Sequence, residues 1–233
     1  AFVSSAAIQP LRAALDAERD ARRSLHPRAM FSPATLALPY AALWLSPLLP
    51  PLTLLAVSFA IVQGCLFSFT VTWLVETRAL TLVQAGSAFA AMQGAGVAAR
   101  IALGWLADRT GRPSANLVVQ GFAAAAAVLV FAALPVGAGL LLTSALAALA
   151  GFVAASWNGI YLAEVARLVP RDRVSDATSG STLFTFLGYV AGPALFALLV
   201  RLTGGWGVPM IAIAAQLAAV SALVAPLLLR RPR

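Results

Sequence analysis

One arginine stands inside a long apolar stretch of the chain, where its charge could bind a ligand. Arg100 precedes Asp108 by two helical turns, which places it roughly 12 Å deeper along a helix axis. Arginine stays charged and offers a planar fork of donors, so it suits the binding of an anion such as a carboxylate. It can instead extend its stem to the aqueous surface, or pair with an acid across a helix bundle. The residue type therefore predicts an anion site, with both structural roles left open.

Seven further polar or aromatic residues lie within apolar runs and are candidates for contact with a small organic molecule. Polar groups are costly to leave unpaired in hydrocarbon, so each invites a functional explanation. Hydrogen bonding between helices is the structural alternative for each of them. The candidates are Gln63, Trp73, Gln93, Trp157, Asn158, Tyr161 and Tyr189.

The chain has few residues that could act as a nucleophile, a general base or a metal ligand within the membrane. Its one histidine, His26, lies in a charged segment, and no carboxylate lies deep in an apolar run. An enzyme acting within the membrane needs a nucleophile with its base, or a metal, at that depth. The single cysteine, Cys65, cannot form a disulfide within the chain and is expected to be a small buried hydrophobic residue. We therefore predict no enzymatic activity, no metal site and no cofactor.

The elements that must position these residues are membrane-spanning helices. Of the 233 residues, 61% are hydrophobic and 10% are charged, whereas soluble domains carry roughly a quarter charged residues. The apolar runs reach the length of about twenty residues that crosses a bilayer, and an open-ended span in lipid must be helical. We predict an all-α polytopic membrane protein. Its six spans are expected at residues 52–75, 83–106, 115–134, 138–163, 180–202 and 207–229.

The net charge of +8 does not indicate nucleic-acid binding, because of where the charges lie. Nearly all the arginines fall in 12–28, 107–114, 164–179 and the tail, as expected for loops on the cytoplasmic side of a membrane. The opposite loops hold only Glu76 and Arg78, which we expect to form a solvated pair. Both ends of the chain are therefore predicted to be cytoplasmic, and no nucleic-acid partner is expected.

The motif GWLADRTGRP, which begins at Gly104, interrupts the apolar sequence with charge. Gly104 allows close contact with a neighbouring helix, and Gly111 permits a tight reversal of the chain. Asp108 can accept hydrogen bonds from the N-terminus of another helix, where the dipole is positive. Arg109 and Arg112 hold the loop in the aqueous layer and can pair with carboxylates. A generic cytoplasmic loop needs the arginines, but neither the aspartate nor both glycines at this spacing.

This motif resembles the G-x-L-a-D-r-x-G-r signature of the major facilitator superfamily, which follows the second helix of each six-helix half. Residues 161–180 are similar to the acidic exit from the family's tenth helix, with Glu164 and Arg173 at the charged positions. Residues 188–199 resemble the Gly-Pro helix that follows. The resemblance covers residues 50–230 and implies helices seven to twelve of twelve.

The resemblance also implies how the chain is organised. Residues 1–49 would hold the end of a preceding helix, a cytoplasmic central linker and an interfacial segment. Residues 50–233 would form the C-terminal six-helix bundle, with the N-terminal half missing from this chain. In the family the loop locks one conformation through a charge network. By that likeness Asp108 would meet a helix end of the other half, and Arg109 or Arg112 would pair with Glu164.

As a function, the resemblance implies a secondary active transporter that moves a small organic solute across the bilayer by alternating access. The segment ARIALG, residues 99–104, resembles the eighth helix of monocarboxylate transporters, in which an arginine four residues before the glycine binds the substrate carboxylate. Arg100 holds that position, which implies an organic anion such as a monocarboxylate. A coupling proton, where one is used, would need an acid of the absent half. Drug or multidrug efflux and a non-transporting sensor or scaffold remain alternatives. The expected location is a bacterial inner (plasma) membrane.

Overall fold

The computed structural model describes residues 40–229, and every regular element in that range is helical. This confirms the predicted all-α class. The elements are α1 (Leu49–Arg78), α2 (Leu82–Thr110), α3 (Pro113–Ala132), α4 (Leu140–Ala154), α5 (Trp157–Arg167), a 3-10 turn (Arg171–Arg173), α6 (Val174–Thr203) and α7 (Gly207–Leu228). The predicted preceding helix, linker and most of the interfacial segment lie outside the described residues.

Six helical stretches in the described range are long and apolar enough to cross a membrane, as predicted. The fourth stretch, Leu140–Arg167, joins α4 and α5 across a short interruption. The largest difference in boundaries is at α6, which begins at Val174 rather than at 180. A span predicted from hydropathy stops at the first polar residues, whereas the helix itself extends beyond them into the polar layer of the membrane. Asp176 in its first turn favours this start, because an acid complements the helix dipole.

The connection between α2 and α3 is built for a sharp reversal. Gly111 has a φ of +62°, a left-handed conformation that favours glycine, and its N–H donates to the Ala107 carbonyl at 3.1 Å. Pro113 then starts α3, where a missing N–H costs nothing. Only Gly111 and Arg112 separate the two helices. The role predicted for Gly111 is thus consistent with its geometry.

The helices pack mainly in three pairs: α2 with α4, α1 with α6, and α3 with α7. Glycines allow two of these pairs to come close. A Cβ atom added to Gly151 on α4 would clash with the Met92 carbonyl oxygen of α2. One added to Gly188 on α6 would lie 2.8 Å from the Val57 carbonyl oxygen of α1. These contacts bring backbones together in the manner common among helices in lipid.

Candidate functional site

The fourth span is interrupted at Ala155 and Ser156, between α4 and α5. Both residues leave the helical region, with φ and ψ of −110° and 6° at Ala155 and −112° and 4° at Ser156. The Ser156 hydroxyl donates to the Phe152 carbonyl at 2.6 Å, a bond that favours bending of a helix. The span predicted at 138–163 is found, and its helix is interrupted at this point. Neither proline nor glycine marks the break in the sequence.

Side chains from neighbouring helices satisfy the carbonyl groups around this break. The Gln120 amide of α3 donates to the Val153 carbonyl at 2.9 Å, and its nitrogen lies 2.9 Å from the Ser156 hydroxyl. The Arg100 Nε of α2 donates to the Ala155 carbonyl at 3.4 Å. Because lipid cannot satisfy a free carbonyl, polar partners of this kind permit irregular backbone at membrane depth.

Gln63 lies next to the break and joins three helices. Its Oε1 accepts from the Trp157 indole at 2.9 Å and from the Tyr189 hydroxyl at 2.7 Å. Gln63 lies midway along the 30-residue α1, and Tyr189 midway along the 30-residue α6. This polar contact is therefore at the middle depth of the bundle.

Two more predicted residues adjoin Gln63 and its partners. The Asn158 side chain lies near the Tyr189 hydroxyl. The Tyr161 ring lies 5.8 Å from the Trp157 ring between centroids, and its hydroxyl lies 3.2 Å from the Thr53 hydroxyl. Arg100 is exposed on α2 and lies close enough to Tyr189 for an electrostatic interaction. We call this set the central cluster. It consists of Gln63, Arg100, Trp157, Asn158, Tyr161 and Tyr189.

The structure does not bring Trp73 and Gln93 into the central cluster. Trp73 is buried ten residues beyond Gln63, roughly 15 Å along the axis of α1. Its ring packs 4.9 Å from that of Phe131. Gln93 is half-buried on α2, two turns before Arg100, and makes no side-chain hydrogen bond within the described part of the chain. Both share a helix face with a cluster residue but lie at another depth.

The predicted pair of Glu76 and Arg78 is wrong. Glu76 accepts from the Trp206 indole at 3.2 Å. Arg78 donates to the Ala132 carbonyl at 2.9 Å, with its guanidinium 4.9 Å from the centre of the Trp73 ring. Residues two apart on a helix do not face each other, so these two side chains find separate partners.

The charged motif lies mostly in the last turns of α2, where it is exposed and has one of its arginines against an aromatic ring. The Arg109 guanidinium lies 5.3 Å from the centre of the Trp105 ring. Asp108 is exposed and makes no side-chain hydrogen bond or ion pair with residues 40–229. A Cβ added to Gly104 would meet no atom of these residues within 4 Å, so the close contact expected at Gly104 is not made among them.

Glu164 is buried, and its partners differ from those implied by the resemblance. The Ser114 hydroxyl donates to Oε1 of Glu164 at 2.7 Å, and Arg167 lies 3.9 Å from Oε2. Neither Arg109 nor Arg112 pairs with it in the described residues, and its buried Oε2 accepts no hydrogen bond there. Arg173 lies 3.8 Å from Asp172 and 3.8 Å from Asp176.

Sequence reasoning missed the residues that hold the break, above all Gln120 and Ser156. A signal existed for Gln120, since it is the one polar side chain between Leu117 and Leu134. A lone amide in an apolar run invites a search for its partner. Ser156 carries no such signal, because serine is common within membrane helices.

A comparison with known protein families identifies this architecture. The family model described as Major Facilitator Superfamily matches residues 5–179. The matched range contains α1 to α5, the loop motif and all of the central cluster except Tyr189. No curated protein gives a significant match to the chain.

Proposed function

Because this chain belongs to the major facilitator superfamily of membrane transporters, we propose that it takes part in secondary transport of a small organic anion by alternating access. The resemblance noted in the loop motif is confirmed by the family match, and the six spans fit one half of that fold. The chain is an integral membrane protein. Members of this family carry small molecules across lipid bilayers.

The observation that carries the anion proposal is the conformation of the Arg100 side chain. Its Nε donates to the Ala155 carbonyl, and Nε is the one Arg100 nitrogen that hydrogen-bonds within residues 40–229. The two terminal nitrogens are left as a planar fork, the geometry that binds a carboxylate in a bidentate manner. The bond to Ala155 ties the side chain to the interior of the fourth span, which argues against the role of an arginine that reaches the surface.

The rest of the central cluster supports a site for a small organic molecule beside that fork. Asn158 and Tyr189 are partly exposed and add an amide and an aromatic face at the middle depth where such transporters hold their substrates, whereas Trp157 is buried. We propose that a carboxylate lies on Arg100 while the organic part of the solute contacts the two partly exposed side chains.

Alternating access requires a second moving part, and the charged C-terminal end of α2 is suited to meet one. Asp108 is exposed and has no hydrogen-bonding partner in the described residues. We propose that it caps a helix of another six-helix half in one conformation. The arginine-rich loops, and with them both ends of the bundle, would then face the cytoplasm at a bacterial inner membrane.

The test is uptake of labelled monocarboxylates, such as lactate and pyruvate, by cells that express the whole transporter. Arg100→Ala and Arg100→Lys should each lower uptake about tenfold or more, since a lost bidentate contact to a charged group is worth about 1.5–3 kcal/mol. Arg201→Ala is the matched control, because Arg201 is exposed in the last turn of α6. Normal uptake of every anion by both Arg100 variants would refute the anion assignment. Export of drugs alone, unaffected by Arg100, would favour efflux.

A further inference from the structure

The break in the fourth span is held by a helix that contributes no residue to the central cluster. Gln120 lies on α3 and is buried. Its amide nitrogen lies 2.9 Å from the Val153 carbonyl oxygen and 2.9 Å from the Ser156 hydroxyl oxygen. Val153 belongs to the last turn of α4, and Ser156 immediately precedes α5. One amide therefore joins the two sides of the break.

Gln120 occupies the place of a backbone donor. In a continuous α-helix the Val153 carbonyl would accept from the N–H of Trp157, four residues on. Here it accepts from Gln120 instead. The Phe152 carbonyl, which would accept from the N–H of Ser156, accepts from the Ser156 hydroxyl at 2.6 Å. Because side-chain donors already satisfy these two carbonyl groups, α4 gains no hydrogen bond at either of them by continuing into α5.

The break sets the orientation of two cluster residues about the helix axis. Trp157 and Asn158 are the first two residues of α5, directly after the interruption. In a regular helix successive side chains advance by about 100°, so restoring the helix would rotate both away from their present positions. The hydrogen bond of Trp157 to Gln63 and the position of Asn158 near Tyr189 depend on the rotation that the break sets.

We propose that Gln120 is a positioning residue of the binding site. By donating to the Val153 carbonyl in place of the Trp157 N–H, it keeps the fourth span interrupted and fixes Trp157 and Asn158 beside Arg100. It acts without touching the solute. The inference rests on the proposed function in one respect only, that the central cluster is where the solute binds.

Gln120→Met tests this role, because methionine keeps the length of the side chain and removes the donor. Gln216→Met is the matched control, since the Gln216 amide also donates to a backbone carbonyl, that of Ser58 at 3.1 Å, outside the fourth span.

The first readout is backbone amide exchange of the whole transporter, resolved at Trp157. In Gln120→Met this amide regains the Val153 carbonyl, and its exchange should slow about tenfold or more, the change that one hydrogen bond produces. Gln216→Met should leave it unchanged.

Unchanged or faster exchange at Trp157 in Gln120→Met would overturn the positioning role. Faster exchange would show that the glutamine merely stabilises the bundle. Should Gln120→Met fail to accumulate, Gln120→Asn provides a second variant. The shorter amide of asparagine no longer reaches both the Val153 carbonyl and the Ser156 hydroxyl, so exchange at Trp157 should again be slower than in wild type.

The second readout is the split between KM and maximal rate for labelled lactate. A displaced site should raise the KM of Gln120→Met about tenfold with the maximal rate kept, whereas Gln216→Met should change neither. An equal fall of the maximal rate in both variants would contradict the proposal. If wild-type protein moves no carboxylate, the anion assignment fails, while the exchange comparison still decides the role of Gln120.

Discussion

Gln63 and Trp157 are joined by a hydrogen bond of 2.9 Å, in which the indole N–H of α5 donates to the amide oxygen of α1. The same oxygen accepts from the Tyr189 hydroxyl at 2.7 Å. Gln63 is buried, so neither donor has water as a ready substitute. A single acceptor thus holds α1, α5 and α6 in register at the middle of the bundle.

Replacing this acceptor should destabilise the bundle. Gln63→Leu leaves two donors without their acceptor, at a cost of about 1–3 kcal/mol for each one that stays buried. We expect a lower melting temperature in detergent, measured by a thermal-shift assay on purified protein. Gln93→Leu is the control, because Gln93 makes no side-chain hydrogen bond within residues 40–229. Equal melting temperatures for the two variants would count against a structural role for the Gln63 bonds.

Close contact between α2 and α4 makes Gly151 intolerant of a side chain. The Cβ of Gly151→Ala would clash with the Met92 carbonyl oxygen, so the helices must separate. Overpacking of this kind costs about 1–3 kcal/mol or more. The yield of monodisperse protein in size-exclusion chromatography should therefore fall. Gly86→Ala, where the added Cβ meets nothing within 4 Å, should retain the wild-type yield. Similar losses at both positions would contradict the packing explanation, because alanine has a higher helix propensity than glycine at either site.

The charged end of α2 and the loop that follows it should affect transport without affecting folding. Asp108 is exposed and has no partner in the described residues, so Asp108→Asn should leave the amount of protein in the membrane unchanged. Its transport rate should fall, because a neutral side chain stabilises a helix N-terminus less than a carboxylate does. Asp172→Asn, at another exposed acid, serves as the control. Normal transport by Asp108→Asn would contradict a role of this loop in conformational exchange.

The orientation of the bundle can be tested with single cysteines. Cys65 is buried, so it should add little background to labelling with a maleimide that does not cross membranes. In intact cells Val136→Cys, at an exposed loop between α3 and α4, should be labelled. Arg112→Cys, between α2 and α3, should react only after the cells are opened. Labelling of Arg112→Cys in intact cells would reverse the proposed orientation.

The spans could be predicted from the sequence because the signal is strong and local. Runs of apolar residues long enough to cross a bilayer have one structural solution, and the six of them were found within a few residues at most boundaries. The turn at Gly111 was likewise readable, since its positive φ favours glycine. These features depend on residues close together in the chain.

The break in the fourth span and the partners of Glu164 could not be predicted, because they depend on contacts between distant residues. Ser114 precedes Glu164 by fifty positions, and Gln120 reaches a backbone carbonyl thirty-three positions on. Ser156, Asn158 and Gly159 lower the helix propensity near Ala155, but such residues also occur in unbroken membrane helices. The central cluster was accessible in part, since polar residues at membrane depth stand out, whereas Trp73 and Gln93 show that a shared helix face does not ensure proximity.

The most direct test of the central claim is competition for uptake of labelled lactate by lactate and by its amide, lactamide, in wild type and Arg100→Ala. The two competitors differ chiefly in the charged carboxylate. In wild type, lactate should compete about tenfold or more better than lactamide, and in Arg100→Ala this preference should vanish, because the bidentate contact is gone. A preference for lactate that survives in Arg100→Ala would show that another group holds the carboxylate, and would contradict the assignment of Arg100.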